Sequence, residues 1–83
     1  MPLDYNRLAR IIEEYYGTYV IKVTPLGAEV SIEYDEITLS DIKHLLKVYE
    51  RLSKELDHKV TLTLKPYRGE EEILILAIFK VTK

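Results

Sequence analysis

Four basic side chains recur on one face of a predicted helix and are the first candidates for chemistry in this sequence. They are Lys43, Lys47, Arg51 and Lys54. At 3.6 residues per turn they fall within about 80° of one another, so together they could contact the phosphates of a nucleic acid. A solvated helix face explains the same stripe, because Glu50 and Lys54 have the spacing of a stabilising helical ion pair. Nucleic-acid binding is therefore our second hypothesis.

The histidines and carboxylates do not form the patterns of a metal site or a catalytic pair. Neither His44 nor His58 has a second ligand at metal spacing, such as a histidine four residues further on. Glu29 and Glu33 lie on the outer face of a predicted strand about 13 Å apart, which is too far for two carboxylates that act on one bond. They make the outer sheet face acidic. Ser31 has no base nearby in the sequence, so we expect no enzyme, metal or cofactor.

Composition indicates one globular domain, residues 1–83, that has no membrane segment. The chain has 83 residues, 47% of them hydrophobic, and a formal net charge of −2. It contains no cysteine, which excludes disulfides and thiolate metal sites. The longest apolar run, residues 73–79, is far shorter than the ~20 residues of a membrane-spanning helix. Charged residues interrupt the first fourteen positions, so we expect no signal peptide and a cytoplasmic location.

Thermolabile residues are scarce. The sequence has one methionine, one asparagine and no glutamine, while 31% of its residues are charged. This bias is typical of thermophile proteins and predicts a melting temperature above about 65 °C, the upper end of the mesophile range.

Hydrophobic periodicity predicts the element order αββαββ. Helices are expected over residues 4–16 and 38–57, and strands over 18–24, 28–35, 59–65 and 73–81. Asp4 is a predicted N-cap and Gly17 a left-handed residue that ends the first helix. Thr38 and Asp41 have the spacing of a capping box at the start of the second helix. The predicted core stripe of that helix is Ile42, Leu45, Leu46, Tyr49, Leu52 and Leu56.

The two halves, about 1–36 and 37–83, share this pattern at a shift of 41 residues, which suggests an internal αββ duplication. Neither half can bury its apolar surface alone, so we expect an α+β domain with both helices on one face of a four-stranded antiparallel sheet. A right-handed crossover between the halves predicts a circularly permuted ferredoxin-like fold with strand order 3-4-2-1. A 1-2-3-4 meander and hairpins exchanged between two chains are the alternatives.

The last strand is apolar on both faces, which is the main indication of function. Its inward residues are expected to be Ile73, Ile75, Ala77, Phe79 and Val81. The expected exposed residues are Leu74, Leu76 and Ile78, with Val20 beside them on the open sheet face. Such a patch usually marks an interface, so our first hypothesis is a non-enzymatic interaction protein, subunit or adaptor that binds itself as a homodimer or binds another protein. A ligand-binding module or small enzyme with a pocket between paired sheets is the third hypothesis.

Overall fold

A computed structural model describes residues 2–83, which form an α+β domain. Its elements are α1 (Tyr5–Glu13), β1 (Val20–Thr24), β2 (Gly27–Tyr34), α2 (Leu39–Glu55), β3 (Lys59–Arg68) and β4 (Ile73–Thr82). The four strands form one antiparallel sheet in the order β1-β2-β4-β3. This is the expected order 3-4-2-1 read from the opposite edge, so the meander is wrong and β4 lies in the centre.

Helix α1 begins as expected but ends earlier. The Asp4 carboxylate accepts a hydrogen bond from the Arg7 amide at 3.1 Å, which caps the first turn. The helix ends at Glu13, three residues before the predicted end, and Gly17 does not adopt a left-handed conformation. The reason is a tightened last turn, in which the Tyr15 amide donates to the Ile12 carbonyl at 3.0 Å. The terminal carbonyls are thereby satisfied without a glycine.

Helix α2 has the predicted capping box. The Asp41 amide donates to Thr38 Oγ1 at 3.2 Å, and the Thr38 amide donates to Asp41 Oδ2 at 3.0 Å. The helix ends at Glu55, and Asp57 follows in the left-handed region with φ of 51°.

The predicted core stripe of α2 is partly wrong. Val48 is fully buried, whereas Leu46 is 49% exposed. Apolar residues cover a wider arc of α2 than the core can accept, so the sequence alone does not fix which edge of that arc faces inward.

The core lies between the helices and one face of the sheet. Ala77, Phe79 and Val81 of β4 are fully buried, and they pair with Ile32, Val30 and Ala28 of β2. The predicted inward face of β4 is therefore confirmed at these three positions, and each large buried side chain contributes roughly 1.5–3 kcal/mol. Ile73 is 71% exposed, contrary to expectation, because it lies at the start of β4 beside the turn.

Strand β3 is longer than predicted and forms one edge of the sheet. In the turn that follows it, the Gly69 amide donates to the Glu72 carbonyl at 2.8 Å. Because hydrogen-bonded and non-hydrogen-bonded pairs alternate in an antiparallel ladder, the even-numbered residues of β3 direct their backbone polar groups away from β4. Pro66 is one of them, so its missing N–H costs no ladder bond. At this edge the outward backbone groups of Val60, Leu62 and Leu64 have no partner among residues 2–83.

Candidate interaction surfaces

The open face of the sheet carries alternate residues of all four strands, aligned in rows by the strand register. One row is Lys22, Glu29, Lys80 and Thr61; the next is Val20, Ser31, Ile78 and Thr63; the third is Glu33, Leu76 and Lys65. Leu76 and Ile78 of β4 thus lie in rows whose other residues are mostly small or charged.

The apolar patch expected on this face is exposed only in part. Val20 is 64% exposed, and Leu76 and Ile78 are half-buried. Leu74, however, is only 6% exposed. It lies opposite Tyr67 in the ladder and close to Gly69, so the β3–β4 turn folds over it. The expectation that Leu74 is exposed is therefore wrong, because a turn between two strands can cover the first residues of the second strand.

The charge expected on this face is also wrong. The register adds Lys22, Lys59, Lys65 and Lys80 to Glu29 and Glu33. Lysines therefore outnumber carboxylates four to two on a face that the pattern of β2 alone indicated to be acidic. The alternation of the strands already places these lysines on this face, so the expectation gave them too little weight.

On the basic face of α2, the arginine is engaged in the fold. Arg51 contacts Glu14, the C-cap residue of α1, at 2.7 Å and Glu55 at 2.5 Å, and it donates to the Tyr15 hydroxyl at 3.3 Å. Its guanidinium lies 5.7 Å from the centre of the Tyr15 ring. Glu14 first, and then Tyr15 and Glu55, raise the pKa of Arg51, while Arg51 lowers the pKa of the Glu55 carboxyl.

Arg51 therefore joins α2 to α1 instead of facing a ligand. Three lysines of the predicted stripe, Lys43, Lys47 and Lys54, remain as exposed residues.

A second apolar surface, which sequence reasoning missed, lies where α2 meets the outer edge of β3. We call it the α2–β3 flank. It consists of Leu39, Ile42, Leu46 and Tyr49 of α2 with Val60, Leu62 and Leu64 of β3. At the ideal rotation the four α2 residues fall within about 80° of one another.

Three leucines of the α2–β3 flank are exposed to solvent. Leu39, Leu46 and Leu64 are 68%, 49% and 46% exposed. A shallow groove of about 370 Å³ runs between Leu46 and Tyr49 on one side and Val60, Thr61 and Leu62 on the other. The sequence did contain one indication of this surface, because α2 has more leucines than one core stripe needs.

Aromatic rings pack where α1 ends against α2. The His44 ring lies 5.4 Å from the rings of both Tyr15 and Tyr16, in edge-to-face geometry. Within residues 2–83 the buried Tyr16 hydroxyl has no hydrogen-bond partner. Tyr34 lies beside it without hydrogen-bond geometry; burial first, and then Tyr34, raise the pKa of Tyr16. The cluster therefore packs the helices together.

His58 lies at the other end of α2. Its Nδ1 is 2.6 Å from the Leu56 carbonyl, and since a carbonyl only accepts, Nδ1 carries the proton. The ring borders a groove lined by Asp4, Arg7, Glu55 and Asp57. Within residues 2–83, no three histidine or carboxylate side chains are grouped so that they could hold a metal ion.

In the described part of the chain no helix is long and apolar enough to cross a membrane. The chain matches no family model, no curated protein and no solved structure.

Proposed function

We propose that this chain is a small, non-enzymatic interaction protein of the cytoplasm that forms a homodimer through the open face of its sheet and acts as a subunit or adaptor. The observation that carries the proposal is the position of Leu76 and Ile78. They lie on the central strand, on the face opposite the helices, and remain partly exposed. A second sheet packed on this face would bury them together with Val20.

The charges on this face are compatible with such packing. Glu29 stands between Lys22 and Lys80 in its row. A carboxylate flanked by two cations loses less on burial than an unpaired one, because its neighbours compensate for the lost water. A two-fold axis would place the same rows opposite one another in both copies.

The substitution Leu76→Glu tests this proposal. It places a carboxylate at the centre of the proposed contact, and we expect the mass in solution to fall below that of wild type because the open-face contact is lost. Leu26→Glu is the matched control, since Leu26 is 64% exposed at the β1–β2 turn, outside the open face. Equal masses for the Leu76→Glu variant and wild type at high micromolar concentration would refute the open-face dimer.

Nucleic-acid binding is the second candidate, supported by the lysines of two surfaces. The open face has four lysines, and α2 adds Lys43, Lys47 and Lys54. The engagement of Arg51 by Glu14 and Glu55 counts against it. A gel-shift titration at low salt should show salt-dependent binding if this candidate is correct, and no shift with single or double strands would eliminate it.

A ligand pocket between paired sheets is the third candidate. Glu29, Ser31, Glu33 and Thr63 would supply its polar groups, because the register places them on the open face. A dry, closely packed contact between the two sheets would exclude it.

We also propose that the fold is a circularly permuted ferredoxin-like arrangement produced by duplication of an αββ unit. The order of elements and the central position of β4 support this. The composition supports thermostability, and a thermal midpoint below about 65 °C would contradict it.

A further inference from the structure

Two properties of the α2–β3 flank are unusual for a surface that contacts only solvent. The flank exposes leucines from both a helix and a strand, and its strand edge has unpaired backbone groups at Val60, Leu62 and Leu64. Exposed strand edges of this length are templates for another strand. We propose that the α2–β3 flank binds a second copy of this chain, with β3 paired antiparallel to β3 across a two-fold axis and α2 packed against α2.

Features of β3 select one register for this pairing. Since the even-numbered residues direct their N–H and C=O groups outward, they must pair with one another across the axis. An axis at Thr63 would pair Val60 of one copy with Pro66 of the other, and Pro66 has no N–H to donate. An axis at Leu62 would oppose Lys59 and Lys65, two like charges.

An axis at Thr61 avoids both conflicts. It pairs Val60 of each copy with Leu62 of the other and places the two Thr61 side chains opposite one another, a favourable cross-strand pair. Lys59 then faces Thr63 of the second copy.

The charges of α2 fit the same axis. Leu46 and Tyr49 share a groove with Thr61, so a two-fold axis at Thr61 passes close to the middle of α2. Two antiparallel copies of α2 that cross there bring Lys43 of each copy to Glu50 of the other. Ideal rotation puts both side chains on the solvent side of Leu46, within about 60° of it. The flank is thus complementary to itself in charge as well as in apolar surface.

This contact is separate from the open face and does not depend on it. The open face lies across the sheet from α2, whereas the flank lies on the helix side of the β3 edge. If both contacts form and their two-fold axes intersect at right angles, the chain assembles into a tetramer. If only the flank pairs, it forms a dimer with a continuous eight-stranded sheet.

Sedimentation equilibrium of the full chain, with four charge variants, tests the flank. Lys43→Glu and Glu50→Lys should each raise the dissociation constant of the flank contact by about threefold or more, since each replaces two opposite-charge contacts with repulsive ones. The double variant restores the pairing in reversed order, so its dissociation constant should return close to that of wild type. Arg10→Glu makes the same charge change on α1, outside the flank, and should have little effect. If the free-energy change of the double variant equals the sum of the changes of the two single variants, the two residues do not interact, and the proposal is overturned.

Leu46→Glu provides a larger effect. Leu46 is 49% exposed, so the variant should keep the wild-type circular dichroism spectrum while the flank dissociation constant rises roughly 100-fold. Leu76→Glu should leave the flank contact intact, which separates the two surfaces. A mass for Leu46→Glu equal to that of wild type at every concentration would refute the flank contact, whatever the result for Leu76→Glu.

Amide hydrogen exchange gives a readout of the backbone pairing itself. The Val60 and Leu62 amides point away from β4 and should exchange quickly in the dilute monomer. They should become protected as concentration rises in wild type but not in Leu46→Glu. Fast exchange at both amides in the associated protein would show that β3 edges do not pair, and would overturn the proposal.

Discussion

Removal of the Tyr16 hydroxyl should stabilise this protein. The hydroxyl is buried and, among residues 2–83, has no hydrogen-bond partner. A buried polar group without a partner costs about 1–3 kcal/mol. Because the rest of the Tyr16 side chain is only half-buried, we expect the lower end, a gain of about 1 kcal/mol for Tyr16→Phe.

Tyr5→Phe is the matched control, with the opposite expected sign. The Tyr5 hydroxyl donates to the Gly27 carbonyl at 3.1 Å, and its removal deletes this hydrogen bond. We expect a loss of about 1 kcal/mol. In a domain of this size, the two variants should shift the thermal midpoint by about 4–8 °C in opposite directions, measured by circular dichroism at one protein concentration.

The pH dependence gives a second readout. The pKa of Tyr16 is raised in the folded protein from its ordinary value of 10.0, so above pH 10 the unfolded chain loses this proton first. Wild type is therefore destabilised as pH rises above 10, and the advantage of Tyr16→Phe should grow there. If Tyr16→Phe destabilises the protein as much as Tyr5→Phe does, the Tyr16 hydroxyl has a partner and the reasoning is wrong.

Three further substitutions test the backbone and the ion-pair network. A Cβ at Gly27 would lie 2.0 Å from the Val81 carbonyl oxygen, so Gly27→Ala should cost about 3 kcal/mol or more in urea unfolding; a loss below about 1 kcal/mol would contradict this packing. Asp57 has φ of 51° and a negative charge at the end of α2, so Asp57→Gly should stabilise by about 0.5–1 kcal/mol, and a lower midpoint would refute this. Because Arg51 lowers the pKa of Glu55 below its ordinary 4.5, the carboxylate stabilises the fold above that pH and loses this effect as pH falls through the folded pKa. The lower thermal midpoint of Glu55→Gln should thus be clear at pH 7 and disappear in acid, and a difference independent of pH would contradict the pairing.

The sequence predicts the elements and their order because those depend on local periodicity and capping. Thr38 and Asp41 are three residues apart, and their capping box forms as expected. The strand order follows from chain connectivity and handedness, and the central position of β4 agrees with its apolar character.

The surfaces are harder to predict, because each combines residues from several elements. The burial of Leu74 depends on how the preceding β3–β4 turn folds over it, and the composition of the open face depends on all four strands. The rotation of α2 about its axis decides that Val48 is buried while Leu46 is exposed. The role of Arg51 depends on Glu14, which is 37 positions away and becomes its neighbour only when the helices pack.

The mass of the full chain in solution tests the central claim, that this protein works through association with itself. Sedimentation equilibrium at high micromolar concentration and moderate salt measures it without a label or a ligand. We predict at least twice the monomer mass, with dissociation on dilution. A monomer mass across the whole concentration range would contradict both proposed self-association surfaces.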